Sequence, residues 1–140
     1  EGYYTVPIGR AHVARAGRDA TVVTYGMDVV SALDAASVLA GEGFDVEVID
    51  LRSLVPWDRE TVLESVRRTS RALVLHEAPM TSGFGAEIAA VIGQEAFAWL
   101  DAPVTRVAGL DMPVPFSRAL EEIFLPKRRL LPALRALLAY

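Results

Sequence analysis

The 140-residue chain has no cysteine, which excludes a disulfide framework and any thiolate metal site, and fits a reducing compartment. Histidine occurs twice, at His12 and His76, too far apart in sequence to read as a zinc helix. Lysine is almost replaced by arginine, a composition bias with no functional message of its own. No apolar run approaches the roughly 18 residues of a membrane span, because Glu, Asp, Arg or Gly interrupts every candidate. The sequence therefore predicts a soluble protein with no membrane partner. A large positive field is missing as well. With 14 Lys+Arg against 18 Asp+Glu and a net charge of -4, nothing suggests a phosphate-neutralising surface, so nucleic acid is not an expected partner. The opening EGYYTVPIG lacks the basic start and apolar centre of a signal peptide. Residues 1–7 read as a linker remnant, and residues 8–140 as one domain.

What is present is apolar and periodic. A hydrophobic content of 52% fills one core of two or three layers. RAHVARA and DATVVTYG are strand-like and flank Gly17-Arg18-Asp19, which predicts a hairpin. After Gly26 the period changes: Val29, Val30, Leu33, Ala36 and Ala40 are spaced for one helical face, with Asp28 as its cap and Gly41 and Gly43 at its end. FDVEVIDL is the next strand. A helix follows Pro56 with Asp58 as N-cap and Glu60 in its first turn, then strand RALVLHE, a helix from about Gly85 to Leu100, and strand VTRVAG. This alternation predicts an α/β fold: a three-layer, Rossmann-like open sheet, mostly parallel with an antiparallel edge strand, and helices on both faces. LDMPVPFS reads as a surface loop and SRALEEIFLP as a short helix. The terminal LLPALRALLAY places Leu131, Leu134, Leu137 and Leu138 on one helical face, to be covered inside the domain or by a partner.

In such sheets ligands sit beyond the carboxyl ends of the strands, which directs attention to Gly26-Met27-Asp28, Arg52-Ser53, and His76 through Gly85. His76 could act as a general acid or base oriented by Glu77 or Glu87, or could end a buried strand and donate to a backbone carbonyl. Gly83-Phe84-Gly85 could bind a phosphate or nucleotide at a helix N-terminus, although a third glycine and a later acidic partner are lacking. The same glycines could instead permit close approach of a neighbouring layer or subunit. Asp50 and Arg52 suggest an ion pair, Trp57 a loop anchor, and Lys127-Arg128-Arg129 a solvated helix start. The residues alone describe a Rossmann-like domain with incomplete catalytic equipment.

The ordered strings VPIGRAHVARAGRDATVVTYG, VEVIDLRSLVPWDRETVLESVRRTSRALVLHEAPMTSGFGAEIAA and LDAPVTRVAGLDMPVPFSRALEEIFLP resemble the C-terminal, transketolase C-terminal-like domain of the beta subunit of thiamine-dependent 2-oxo acid dehydrogenases. The resemblance runs from about Val6 to Tyr140. It implies an intact enzyme that uses thiamine diphosphate with magnesium, decarboxylates a 2-oxo acid and passes the acyl group to a lipoyl arm. The cofactor lies between an N-terminal domain, absent from this stretch, and the alpha subunit. By resemblance, then, this chain supplies no catalytic, cofactor-binding or metal-binding residue and is inactive alone. It implies subunit-interface roles for His76, Glu77, Phe84 and Gly85, and partner-docking roles for Asp101 and Tyr140. The implied partners are a second beta subunit, the alpha subunit, and the basic subunit-binding domain of the dihydrolipoyl acyltransferase. VPWD with HEAP-x-T-x-GFG leans to branched-chain members, with pyruvate-type members next. A bacterial cytoplasm is expected, or the mitochondrial matrix if the source is eukaryotic.

Overall fold

A computed structural model describes residues 2–140. In chain order the elements are β1 (His12–Arg15), β2 (Ala20–Thr24), α1 (Asp28–Gly41), β3 (Val46–Asp50), α2 (Arg59–Thr69) and β4 (Ala72–Pro79). They continue with α3 (Gly85–Glu95), a 3₁₀ turn at Phe97–Trp99, β5 (Thr105–Gly109), α4 (Arg118–Phe124) and α5 (Lys127–Leu138). One five-stranded sheet has the order β1-β3-β2-β4-β5. β2, β3, β4 and β5 run parallel, and β1 lies antiparallel on β3.

The inner strands are apolar on both sides, as a doubly covered parallel sheet requires. Val22, Val48, Leu73 and Leu75 face the alanines and Leu39 of α1 and, from α5, Leu130, Leu134 and Leu137. Val23, Ile49, Ala72 and Val74 face Val62 and Val66 of α2 and Ile88, Val91 and Ile92 of α3. The three-layer expectation is met, and the leucine face of the last helix is covered inside the domain.

The expected hairpin does not form, because β1 pairs with β3 instead of β2. β2 is buried at every residue and flanked by β3 and β4, whereas β1 is half exposed. A strand of mixed polarity is tolerated only at an edge. The Gly17-Arg18-Asp19 segment serves a different junction. Arg18 and Asp19 donate backbone N–H groups to the Asp45 carbonyl, the Asp45 N–H donates to the Asp19 carboxylate, and a Cβ on Gly17 would fall under 3.0 Å from the backbone entering β3.

The buried face of α1 is rotated from the expected one. Ala32, Ala35, Ala36 and Leu39 are buried, while Val30 and Ala40 are exposed. Small residues let this helix approach the sheet and α5 closely, which outweighs the larger area that valine would bury. Asp58 caps α2 as expected, accepting from the Thr61 N–H, but Asp28 makes no cap bond to α1.

Trp57 is half-buried against the α2–α3 side of the core, and Asp50 and Arg52 lie 3.6 Å apart as an ion pair. Lys127 and Arg128 are solvated, but Arg129 is not. Its guanidinium donates to the carbonyls of Ala108 (2.6 Å), Ile123 (3.0 Å) and Phe124 (3.1 Å), tying the end of α4 to β5. Arg129→Met is expected to lose about 1–2 kcal/mol of stability, since hydrogen bonds from a charged donor are worth more than neutral ones. Hydrogen exchange should locate the loosening in α4.

Candidate functional site

From β2 the chain crosses through α1 to β3 on one side, and from β4 it crosses through α3 to β5 on the other. The carboxyl ends of β2 and β4 therefore bound a topological switch point, the place where open α/β sheets form a crevice. Two groups of side chains meet there, one on each face of the sheet.

On the α2–α3 face, His76 is fully buried and its ring stacks on Tyr25, with centroids 6.2 Å apart and planes within 4°. The glycine loop closes over it. A Cβ on Gly85 would fall under 3.0 Å from His76 Cδ2 and Nε2, and one on Gly83 under 3.0 Å from His76 Cε1 and the Pro79 carbonyl oxygen. Neither ring nitrogen has a hydrogen-bond partner. Burial holds the imidazole pKa below its ordinary value; the adjacent Ala78 backbone opposes this in part, and the charge of Arg106 adds to it. His76 is thus a neutral packing ring. Glu77 and Glu87 are exposed and make no hydrogen bond to it, so the acid–base arrangement weighed from the sequence is not assembled. The cause is the period of the strand: His76 and Glu77 are consecutive in β4 and project to opposite faces. His12 lies on the edge strand, three strands away in the sheet.

The same geometry removes the opening for a phosphate at Gly83-Phe84-Gly85. The glycine surfaces are occupied by His76 and Pro79, and the N–H groups of Ala86, Glu87 and Ile88 already bond to the carbonyls of Gly83 and Phe84. Of the residues expected at a subunit interface, His76 and Gly85 are buried, Phe84 is half-buried and Glu77 is exposed.

On the α1–α5 face, Glu77 and the start of α1 border a cleft of about 310 Å³ lined by Met27, Asp28, Val30, Ser31, Glu77, Leu125 and Lys127. Asp28 is only 3% exposed, and its Oδ2 has no partner. Its pKa is raised to about 6, first by burial and then by the charge of Glu77. Burial, followed by Asp28 and Glu77, also raises that of Tyr25. An acid whose pKa is raised on folding opposes folding once ionised, so this contribution to stability is present in acid and is lost as the pH rises through about 6. Sequence reasoning marked Gly26-Met27-Asp28 as a place to search, but took Asp28 for a cap and passed over Tyr25.

β4 carries a register shift between His76 and Pro79 against β5. The loop that follows is pinned by Asp111, whose carboxylate accepts from the Thr81 N–H (2.8 Å) and hydroxyl (2.7 Å). These two bonds hold its pKa below the ordinary carboxylate range.

Asp101 and Tyr140 lie at the opposite, amino edge of the sheet. Asp101 is exposed, its N–H bonds to the Ser70 carbonyl just before β4, and its carboxylate lies 3.8 Å from Arg71. It borders an apolar groove of about 540 Å³ formed with Ala89, Gly93, Phe97, Leu100 and Pro103. Tyr140 is 70% exposed at the end of α5. Among the described residues no group of three or more His, Cys, Asp or Glu side chains could hold a metal ion. Among the described residues no helix is long and apolar enough to cross a membrane.

Comparison with known proteins gives a consistent picture. The family described as the C-terminal domain of transketolase matches residues 9–129. The chain is 45% identical to the 2-oxoisovalerate dehydrogenase subunit beta 2, mitochondrial, of Arabidopsis thaliana, covering 100% of this chain and 39% of that protein. It is 44% identical to the pyruvate dehydrogenase E1 component subunit beta of Rhizobium meliloti, over 88% of this chain and 27% of that one. Identity is also 44% to the beta subunit of the acetoin:2,6-dichlorophenolindophenol oxidoreductase of Cupriavidus necator, over 90% of this chain and 39% of that one. The chain thus spans 39% or less of the length of these three relatives. A solved structure described as a split gene transketolase, an inactive beta4 tetramer, superposes with a TM-score of 0.82 at 33% identity, covering 97% of this chain and 43% of that one. A 2-oxoglutarate:ferredoxin oxidoreductase from Magnetococcus marinus shares the fold, with a TM-score of 0.58 at 12% identity.

Proposed function

The chain belongs to the transketolase C-terminal domain family, and from that premise we propose that it is the C-terminal domain of the beta subunit of a thiamine diphosphate-dependent 2-oxo acid dehydrogenase. Its part is assembly and partner docking, and the decarboxylation chemistry lies in the rest of the enzyme, with magnesium and the cofactor. The observation that carries this reading is an inversion of exposure. The imidazole that a catalytic role would need is sealed inside, while Met112, Val114, Phe116, Leu120 and Ile123 stand in solvent along α4 and the loop before it. An apolar strip of that kind on an otherwise well-packed domain marks a protein–protein surface. We assign it to contact with a second beta subunit, with Phe84 of the glycine loop and Glu77 of β4 at the margin of the assembly.

Docking of the acyltransferase's basic subunit-binding domain is assigned to the amino edge. Asp101 beside an apolar groove and Tyr140 at the chain end offer a carboxylate, an aromatic ring and shape to such a module, and charge complementarity of this sort mainly accelerates encounter. The alpha subunit completes the assembly. A branched-chain substrate is favoured, with pyruvate next, on the VPWD and HEAP-x-T-x-GFG strings. A bacterial cytoplasm or a mitochondrial matrix would house the enzyme.

Phe116→Asp combined with Ile123→Asp should convert a dimer of this chain to a monomer in light scattering, with an unchanged circular dichroism spectrum. A wild-type chain that is monomeric at every concentration would remove the self-association assignment. Titration calorimetry of the subunit-binding domain into the dimer tests docking. Measurable heat that disappears in Asp101→Ala is the expected result, and no heat with a verified dimer rejects it.

A further inference from the structure

We propose that His76 and the loop of residues 80–84 above it form an acid-operated latch: a proton on the ring drives it out from beneath Gly83 and Gly85 and lifts the loop, with Phe84, off a sheet that stays folded.

The closed latch fits only an uncharged ring. His76 is fully buried, and neither ring nitrogen has a hydrogen-bond partner. An imidazolium carries two N–H donors and a full charge, and a buried charge is tolerated only where it is paired and hydrogen-bonded. No element packed against the ring supplies that pairing. β2 presents Tyr25, stacked on the ring, with a hydroxyl that burial keeps un-ionised. β5 presents Arg106, a second positive charge, whose guanidinium donates to the Met80 carbonyl at 3.0 Å. α3 presents Gly85, and its first-turn carboxylate, Glu87, is exposed. Residues 80–84 carry no charge, and Glu77 projects to the other face of β4. The Ala78 backbone alone favours a proton on the ring; burial outweighs it, and Arg106 adds to burial.

The loop is where the enclosure gives way. Tyr25 closes one face of the ring, and the strand that carries it lies between β2 and β5, so the free direction is toward Gly83 and Gly85. The loop is tied down by the Met80 N–H to the Gly109 carbonyl (3.1 Å), by Thr81 to Asp111, and by Arg106 to Met80. The register of β4 on β5 shifts between His76 and Pro79, so the ladder is irregular where the loop would hinge. Beyond the first turn of α3, Ile88, Val91 and Ile92 are seated in the core and stop the opening. A segment held by a few bonds opens at less cost than the whole domain.

The closed form binds the proton less readily than the open one. It is therefore favoured above the ordinary histidine pKa and loses ground as the pH falls below about 6.5. Asp28, on the other face of the sheet, titrates in the same range with the opposite effect on folding, so the informative signal is that of the loop and not of global stability.

The test is amide hydrogen exchange of the 140-residue chain from pH 7.5 to 5.5, expressed as protection factors, with the histidine ring carbons followed by NMR. The chain has two histidines, and His12→Gln identifies the His76 signals. Protection of the Ala86, Glu87 and Ile88 amides, which bond to the Gly83 and Phe84 carbonyls, should fall about tenfold by pH 5.5. That of Val22, Val23 and Val48 in the inner strands should hold. In His76→Gln, which has no titrating ring, the acid loss at the loop should vanish. Parallel loss in the loop and the inner strands would overturn the proposal, because acid would then be unfolding the domain as a whole. So would undiminished loop protection at pH 5.5, whether the ring is neutral or charged, or an acid loss that survives in His76→Gln. If that variant fails to fold, the comparison of loop with inner strands in the wild-type chain decides.

Discussion

Gly85→Ala should cost about 3 kcal/mol of stability, near the upper end of what a single added methyl imposes on a packed core. The new Cβ would fall under 3.0 Å from two atoms of the His76 ring and 3.1 Å from Val74 Cγ1. The ring cannot retreat: it is fully buried, Tyr25 is stacked on one side of it, and its own strand sits between β2 and β5 in the sheet. Either α3 must lift off the sheet or the stack must break. Gly93→Ala, in the same helix, is the control, because an added Cβ there meets nothing within 4 Å. It should gain about 0.5–1 kcal/mol from helix propensity and a stiffer unfolded chain. Urea unfolding of both variants gives the comparison. His76→Ala should recover part of the loss in the Gly85→Ala background, and strict additivity of the two substitutions would show that the ring is not what the methyl strikes.

Glu47→Ala is expected to lose a similar amount, about 3 kcal/mol, for an electrostatic reason. Glu47 is a carboxylate on a central strand, 2% exposed. One oxygen accepts from the Ser65 hydroxyl and the Arg68 guanidinium, and the other from the Gly17 N–H at 3.2 Å. Ser65 continues the chain to Thr21 (2.6 Å), and Thr21 to Thr69 (2.7 Å). Removing the carboxylate takes the acceptor from three donors in two segments at once, Gly17 before β2 and Ser65 and Arg68 of α2. Burial by itself would raise the pKa of Glu47, but the bonds from Arg68, Ser65 and Gly17 more than offset it, and the group is held below the ordinary range. The consequence for pH has a definite sign. An acid that binds its proton less tightly when folded adds stability above its unfolded pKa and loses it as the pH falls through the folded value. Glu47→Gln, which keeps the shape, should therefore be less stable than wild type at neutral pH and approach it as the pH falls below the ordinary carboxylate range. A gap that stays constant across that range would assign the network's contribution to shape instead of charge.

Both experiments fall on residues that the sequence presented as ordinary. Gly85 was legible as a glycine that something approaches closely, and FDVEVIDL placed Glu47 on a strand. What approaches the glycine, and what neutralises the glutamate, was not legible. His76 meets Gly85 from nine residues away, and Glu47 meets Gly17 from 30 residues away and Arg68 from 21. The hairpin was misjudged for a related reason. A turn-like Gly-Arg-Asp between two strands is a local signal, but pairing is decided by which neighbour buries the most apolar surface, and β3 occupies the position beside β2.

By itself the sequence determined the class of fold, the alternation of strands and helices, the strand buried on both sides, the cap at Asp58 and the resemblance that comparison turned into family membership. These are set by period, by turn chemistry and by ordered strings of residues, all of which act over a few positions along the chain. Only the tertiary structure decided that His76 is sealed beneath two glycines while Asp28 is buried at the start of α1 with one oxygen unpartnered. Exposure and pairing of polar groups depend on which strand ends meet at the switch point, and that follows from the order β1-β3-β2-β4-β5, a long-range outcome of competition for the same apolar surface.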